Sequence, residues 1–228
     1  MDKHKIEVPA AEEFSRPRTR KNFFKALAVT AAGAAAGSVA FSREASAQAG
    51  GDIGIANFAL TLEYLEEDFY KQALDAGVLS GDALAVVEAI YDHESQHVDA
   101  LVGLIEQFGG TPVDAPQTTF PANAFSSQGS ILELAATFEP VGVGAYLGAA
   151  PLIESPDVLA AAGSIAGVEG EHVVAVNNLI GGLPAAVEAF PAALTKNEVL
   201  AAVSPFIMGG MMDTGGLEYR SRESFGRV

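Results

Sequence analysis

Two Glu-x-x-His tetrapeptides carry the chemistry legible in this chain, Glu94-Ser95-Gln96-His97 and Glu169-Gly170-Glu171-His172. In a helix, at about 100° per residue, that spacing brings carboxylate and imidazole onto one face roughly one turn apart, so each pair can hold a metal ion from one side. Around Glu94 the residues at helical spacing are Val87, Ile90, Tyr91, His97, Val98, Leu101 and Ile105; around Glu169 they are Ala162, Ile165, Ala166, His172, Val173, Val176 and Ile180. Both motifs therefore lie on faces that should enter a core. A buried carboxylate without a partner costs several kcal/mol or takes up a proton, so something buried must compensate it. One Glu-x-x-His is commonly a surface pair; two on apolar faces point to a cation site.

The composition narrows the donor set. The chain has 228 residues, a net charge of −16 and no cysteine, which excludes disulfides, iron–sulfur clusters and thiolate zinc sites. Any metal must be held by oxygen and imidazole nitrogen. Of the four histidines, His4 lies far upstream, and His93, His97 and His172 all fall in the two motif segments. His93 should point about 100° away from Glu94 and is expected to be peripheral. So acidic a chain repels nucleic acid and anionic membrane and favours cations as small partners.

The elements that must position these groups can be read in order. Residues 1–47 read as an export signal: a basic stretch, Arg16 to Lys25, then an Ala/Gly/Val run from Ala26 to Phe41, then Ala45-Ser46-Ala47 as a cleavage site. The run is too short and too rich in Ala and Gly for a stable membrane anchor. Thr19-Arg20-Lys21-Asn22-Phe23-Phe24-Lys25 resembles a twin-arginine signal with Lys21 in place of the second arginine. The expected destination is periplasmic or extracellular, and removal of 1–47 leaves Lys71, Lys196, Arg220, Arg222 and Arg227 as the basic residues.

From Ile53 to about Ala76 the pattern is helical, and its apolar face carries Glu63, Glu67 and Tyr70. Glu66, Glu67 and Asp68 are expected to form a solvated rim, with Glu67 near enough to the inner face to substitute as a ligand. Ser80-Gly81-Asp82 reads as a capping sequence for a second helix, about Ala83 to Phe108, stopped by Gly109-Gly110. A long Pro/Thr/Ser-rich crossover, Thr111 to Gln128, leads to a third helix from about Ser130 to Ala150, with Glu139 and Tyr146 inside and a kink expected at Pro140. Ser155-Pro156-Asp157 opens a fourth, to Ile180 and Gly181-Gly182; a short helix follows from about Lys196 to Ile207, and 208–228 form a tail.

The two halves repeat. Tyr70 follows Glu63, and Tyr146 follows Glu139, by the same seven residues, and each Glu-x-x-His comes at nearly the same distance behind. This layout suggests a pseudo-twofold four-helix bundle with a central site, the arrangement of ferritin-like di-iron and di-manganese bundles.

Segments 57–66 with Phe69-Tyr70, His93 to His97, Phe138 to Tyr146 and Val168 to His172 together resemble the ferritin-like domain of bacterial and plant desiccation-related proteins, over roughly 53–207. The resemblance implies an all-α ferritin-like four-helix bundle with a long crossover between helices 2 and 3 and a short C-terminal helix. It also implies two Fe or two Mn ions held by Glu63, Glu94, His97, Glu139, Glu169 and His172, with Tyr70 and Tyr146 as hydrogen-bond donors behind them. Two divalent ions would balance four carboxylates. The expected function is oxygen, peroxide or ferrous-iron chemistry, ferroxidase-like or manganese-catalase-like, in oxidative or desiccation stress. The alternatives are a non-catalytic protective bundle whose site is vestigial or stabilising, and a homo-oligomeric storage cage.

Overall fold

The computed structural model describes residues 43–182 and 189–209. The expected export segment lies outside these residues save for 43–47, which begin the first helix, and most of the tail lies outside as well. Five α-helices follow one another: α1 (Arg43–Asp75), α2 (Gly81–Gln107), α3 (Gln128–Ala149), α4 (Pro156–Leu179) and the short α5 (Lys196–Val203). Two 3-10 turns, Ala150–Leu152 and Ser204–Phe206, extend α3 and α5, and the described residues form no named strand. The all-α bundle expected from the periodicity is the fold observed.

Local chemistry sets the ends. Ser127 and Ser130 form a reciprocal capping box for α3, Thr195 and Glu198 do the same for α5, and Ser155 accepts from the Val158 N–H with Pro156 in the first turn of α4. Ser80 stands at the start of α2, but its side chain makes no cap there; its N–H donates to Gln128 Oε1 at 3.1 Å instead. α2 and α4 stop alike. Gly109 and Gly181 adopt positive φ, and the N–H groups of Gly110 and Gly182 turn back to the carbonyls of Ile105 and Asn177 at 2.9 Å. α3 runs unbroken through Pro140, so Ala136 keeps a carbonyl without its helical donor beside Glu139.

Packing runs mainly within two hairpins, α1 on α2 and α3 on α4. The segment after α2 returns to the middle of α1, where Asn57 bonds the backbone of Thr111 and Val113. The start of α3 lies by the start of α2, so the crossover traverses the length of the bundle. On the way it pairs with the C-terminal segment: the Thr119 N–H donates to Phe206, and the Met208 N–H to Gln117. Phe69, Phe120, Phe125, Phe138 and Phe206 meet there edge to face or tilted.

The core is layered. One apolar layer contains Phe69, Val87, Ile90, Ile131, Phe138 and Val176; the other contains Leu60, Leu101, Leu104, Ile105, Val158 and Ile165. On every long helix the nominated acidic residue falls between them, so a polar slab crosses the bundle at mid-length. Each large apolar side chain in these layers contributes roughly 1.5–3 kcal/mol of burial. By length and composition α4 is apolar enough to cross a membrane, with mean hydropathy 1.2, but here its inner face presents buried Glu169 and His172 to the bundle.

Candidate metal centre

The four long helices bring all six nominated residues into one cluster: Glu63 from α1, Glu94 and His97 from α2, Glu139 from α3, Glu169 and His172 from α4. None is more than 8% exposed. His97 Nδ1 lies 3.1 Å from Glu63 Oε2, 3.1 Å from Glu94 Oε2 and 3.2 Å from Glu169 Oε1. His172 Nδ1 lies 3.0 Å from Glu94 Oε1, 3.2 Å from Glu139 Oε2 and 3.8 Å from Glu169 Oε2. The result is two groups of four donors, each within 4.8 Å of one another, that could hold a metal ion. Glu94 and Glu169 belong to both groups. Glu63 serves one and Glu139 the other.

His97 Nδ1 is in hydrogen-bonding contact with Glu63 Oε2 and Glu94 Oε2, but other donors of the cluster have no such partner. Glu94 Oε1, Glu139 Oε2, both oxygens of Glu169 and His172 Nδ1 make no directed hydrogen bond despite being buried and close. Orphaned polar atoms at this depth are costly unless a cation joins them. Donor atoms at right angles about an ion with bonds of about 2.1 Å lie about 3.0 Å apart, close to the separations found here. Hard carboxylate oxygens with imidazole suit iron or manganese, so the residues fit such ions.

Without a cation the cluster is balanced by protons. Burial pushes the Glu94 carboxyl well above its ordinary range, and the charge of Glu169 adds to it. Burial likewise raises Glu139, to about 7, against the opposing pull of His172. For His97 burial favours the neutral ring, but Glu169, Glu63 and Glu94 outweigh it and raise the imidazole to about 12; His172 is raised in the same way by Glu139, Glu169 and Glu94. Glu169 is the exception. Burial would raise it, yet His172 and His97 hold it at about 2.

The tyrosines are crossed between the halves. Tyr70 of α1 donates to Glu139 of α3, and Tyr146 of α3 donates to Glu63 of α1 at 2.5 Å. Seven residues are nearly two turns, about 10 Å along the axis, so each tyrosine is out of reach of its own helix's glutamate. Leaning toward its helix N-terminus, it meets the carboxylate of the facing helix. Burial, and then that carboxylate, raise both hydroxyls, which stay protonated and donating.

Two expectations are corrected. Glu66, expected at the rim, is buried in the cluster at 4% exposure, because it follows Glu63 by three residues on the same face and looks onto Gly142. Its carboxyl is raised by burial and then by Glu169, Glu139, Glu94 and Glu63. The rim expectation holds better for its neighbours: Glu67 is half-buried and accepts from Ser95 Oγ at 2.8 Å, and Asp68 bonds Thr118 and Gln72. His93, expected to be peripheral, has Nδ1 2.9 Å from His172 Nε2, with the rings stacked at 12°. Its rotation off the centre of α2 carries it toward α4. If the His172 proton sits on Nε2 and is donated to His93, Nδ1 keeps its lone pair for a cation.

A four-helix bundle with a buried carboxylate–imidazole slab at mid-length defines a class of helical proteins built to hold metal between helices. The chain belongs to the ferritin-like domain family, which matches residues 51–182. In fold it is similar to a conserved hypothetical protein, rv2844, from Mycobacterium tuberculosis, with a TM-score of 0.53 and 18% identity over 63% of this chain and 99% of that one. No curated protein matches it.

Proposed function

We propose that this ferritin-like chain binds two iron or two manganese ions through Glu63, Glu94, His97, Glu139, Glu169 and His172, and uses them in peroxide, dioxygen or ferrous-iron chemistry. The observation that carries the reading is the pair of donor groups sharing Glu94 and Glu169. Two such ions, when bound, can give up two electrons together, which matches reduction of hydrogen peroxide with two protons to two waters. The chain's own part is to place the donors, and Tyr70 and Tyr146 fix the outer carboxylates Glu139 and Glu63. The apolar layers on either side keep bulk water out.

The proposal includes export, supported by the composition of residues 1–47, and a role in oxidative or desiccation stress, supported by the likeness to desiccation-related proteins. Elemental analysis of freshly isolated protein is expected to give close to two ions per chain, with peroxide consumed above the blank rate. A protein that stays metal-free under iron and manganese loading would overturn the reading. A second reading, a non-catalytic stabilising site, is favoured by the protons that His97 and His172 can hold, since these balance the carboxylates without a cation. It predicts that metal raises Tm while peroxide and ferrous oxidation proceed at blank rates. Cell fractionation and a sizing column test export and self-association.

A further inference from the structure

The two apolar layers are not filled alike. One is packed by Phe69, Phe138 and the phenylalanines around them; the other, at the end where α3 stops and α4 starts, encloses a cavity with about 30 Å³ of room for the centre of a water-sized molecule. Alanines make the space: Ala56, Ala59, Ala145, Ala149 and Ala162, from three helices, stand in its wall where larger side chains would meet. Tyr146 is the only polar side chain in the lining, and its hydroxyl is already given to Glu63. The inner wall is buried, while Ile55, Phe58, Ala59, Ala145 and Ala149 are half-buried, so the cavity opens at the seam between α1 and α3. A cation stands at that seam. Leu194 lies against Gly144 and Gly148 of α3, with its N–H on the Gly144 carbonyl at 2.9 Å. This carries Lys196, the first residue of α5, over the ring of Phe58, with Nζ 5.8 Å from the centroid. Lys71, the other lysine among the described residues, is paired with Asp75 at 2.6 Å.

We propose that this cavity and Lys196 form a binding site for a short alkyl monocarboxylate, its chain in the cavity and its carboxylate at the lysine. The inner end takes apolar matter alone, because its single hydroxyl is engaged and a polar group there would lose its hydrogen bonds. The room corresponds to about two or three water-sized groups, so about three carbons enter without moving the wall. The rim selects one negative charge: Lys196 attracts it, and a chain of net charge −16 repels an ion that carries more. Phe58 serves both ends, since its ring walls the cavity and also lies under the ammonium. The flexible stem of the lysine lets the ammonium meet a carboxylate beside that ring. None of the six candidate metal donors lines the cavity, so the inference goes beyond the two-cation reading and does not depend on it.

The test is a calorimetric titration of the full chain with propionate, butyrate, pentanoate and hexanoate, and with hexanol and hexylamine as uncharged and cationic counterparts. Affinity for the carboxylates is expected to rise about fourfold with each added methylene until the cavity is full. Hexanoate should bind about fivefold more tightly than hexanol, and hexylamine more weakly than either. In NMR spectra of the complex, intermolecular NOEs should run from the terminal methyl group of pentanoate to the ring of Tyr146. Ala149→Leu, which fills the mouth of the cavity, is expected to lose about tenfold or more in affinity across the series. Lys196→Gln should leave the affinity for hexanol unchanged and abolish the preference for hexanoate over it, so the test stands even if Ala149→Leu misfolds. Absence of saturable binding, an affinity that does not change with chain length, or a preference for the carboxylate that survives Lys196→Gln overturns the assignment.

Discussion

Glu94 and Glu169 each belong to both donor groups, turning one oxygen toward His97 and the other toward His172, whereas Glu63 and Glu139 each serve one. Glu94→Gln or Glu169→Gln is accordingly expected to bring the metal content toward zero, and Glu63→Gln toward one ion per chain, by elemental analysis after loading. His93 acts on one group alone through His172, so His93→Leu should weaken binding of one ion by about 10- to 100-fold in a calorimetric titration, with part recovered in His93→Asn, which keeps an acceptor. The pH dependence has a definite sign. In the metal-free protein Glu139 is raised from 4.5 to about 7, so its contribution is full below 4.5 and is lost as pH rises through 7. His97, raised from 6.5 to about 12, contributes fully below 6.5 and less as pH climbs toward 12. Glu169, lowered to about 2, runs the other way: its contribution is present above 4.5 and lost as pH falls through 2. Cations must displace protons from Glu94, Glu139, His97 and His172, so metal binding strengthens as pH rises. The gap in Tm between loaded and metal-free protein should widen between about pH 5 and about pH 7.5.

At the scale of the element, Asp52 and Gly148 carry packing that no motif announces. Asp52, buried in α1, accepts the N–H groups of Glu154 and Ser155 at 3.0 and 2.8 Å and so ties the start of α4 to α1. Asp52→Ala should cost about 1–3 kcal/mol in denaturant unfolding, because both donors lose their partner. A Cβ on Gly148 would lie 1.8 Å from the Leu194 carbonyl oxygen, so Gly148→Ala should displace the segment before α5 and lower Tm while leaving the metal content of loaded protein as in the wild type. The long helices were legible from their apolar faces, and most of their ends from Ser-Pro and Gly-Gly signals that act within one turn. The start of α1 at Arg43, well ahead of Ile53, was not, since the Ala/Gly-rich stretch before it has no apolar face to read. The clustering of the six candidates was legible because both motifs sat on inner faces. Glu66 and His93 were not, because their places depend on Gly142 and His172 of other helices.

At the scale of the molecule, the acidic slab lies between two apolar layers, so the interior loses stability when its balancing charge is removed. Chelation is therefore expected to lower Tm of the loaded protein at neutral pH, by a margin that grows with the affinity and concentration of free ion, and re-addition should restore it. The crossover passes from one end of the bundle to the other through Asp114 and Ala115, which are exposed and far in sequence from any donor. The crossed tyrosines then settle what a cut there would leave. Each hairpin braces a carboxylate that belongs to its counterpart, so neither fragment owns a finished half of the pocket, and a chain nicked at Asp114 should regain its ions only when both pieces are mixed.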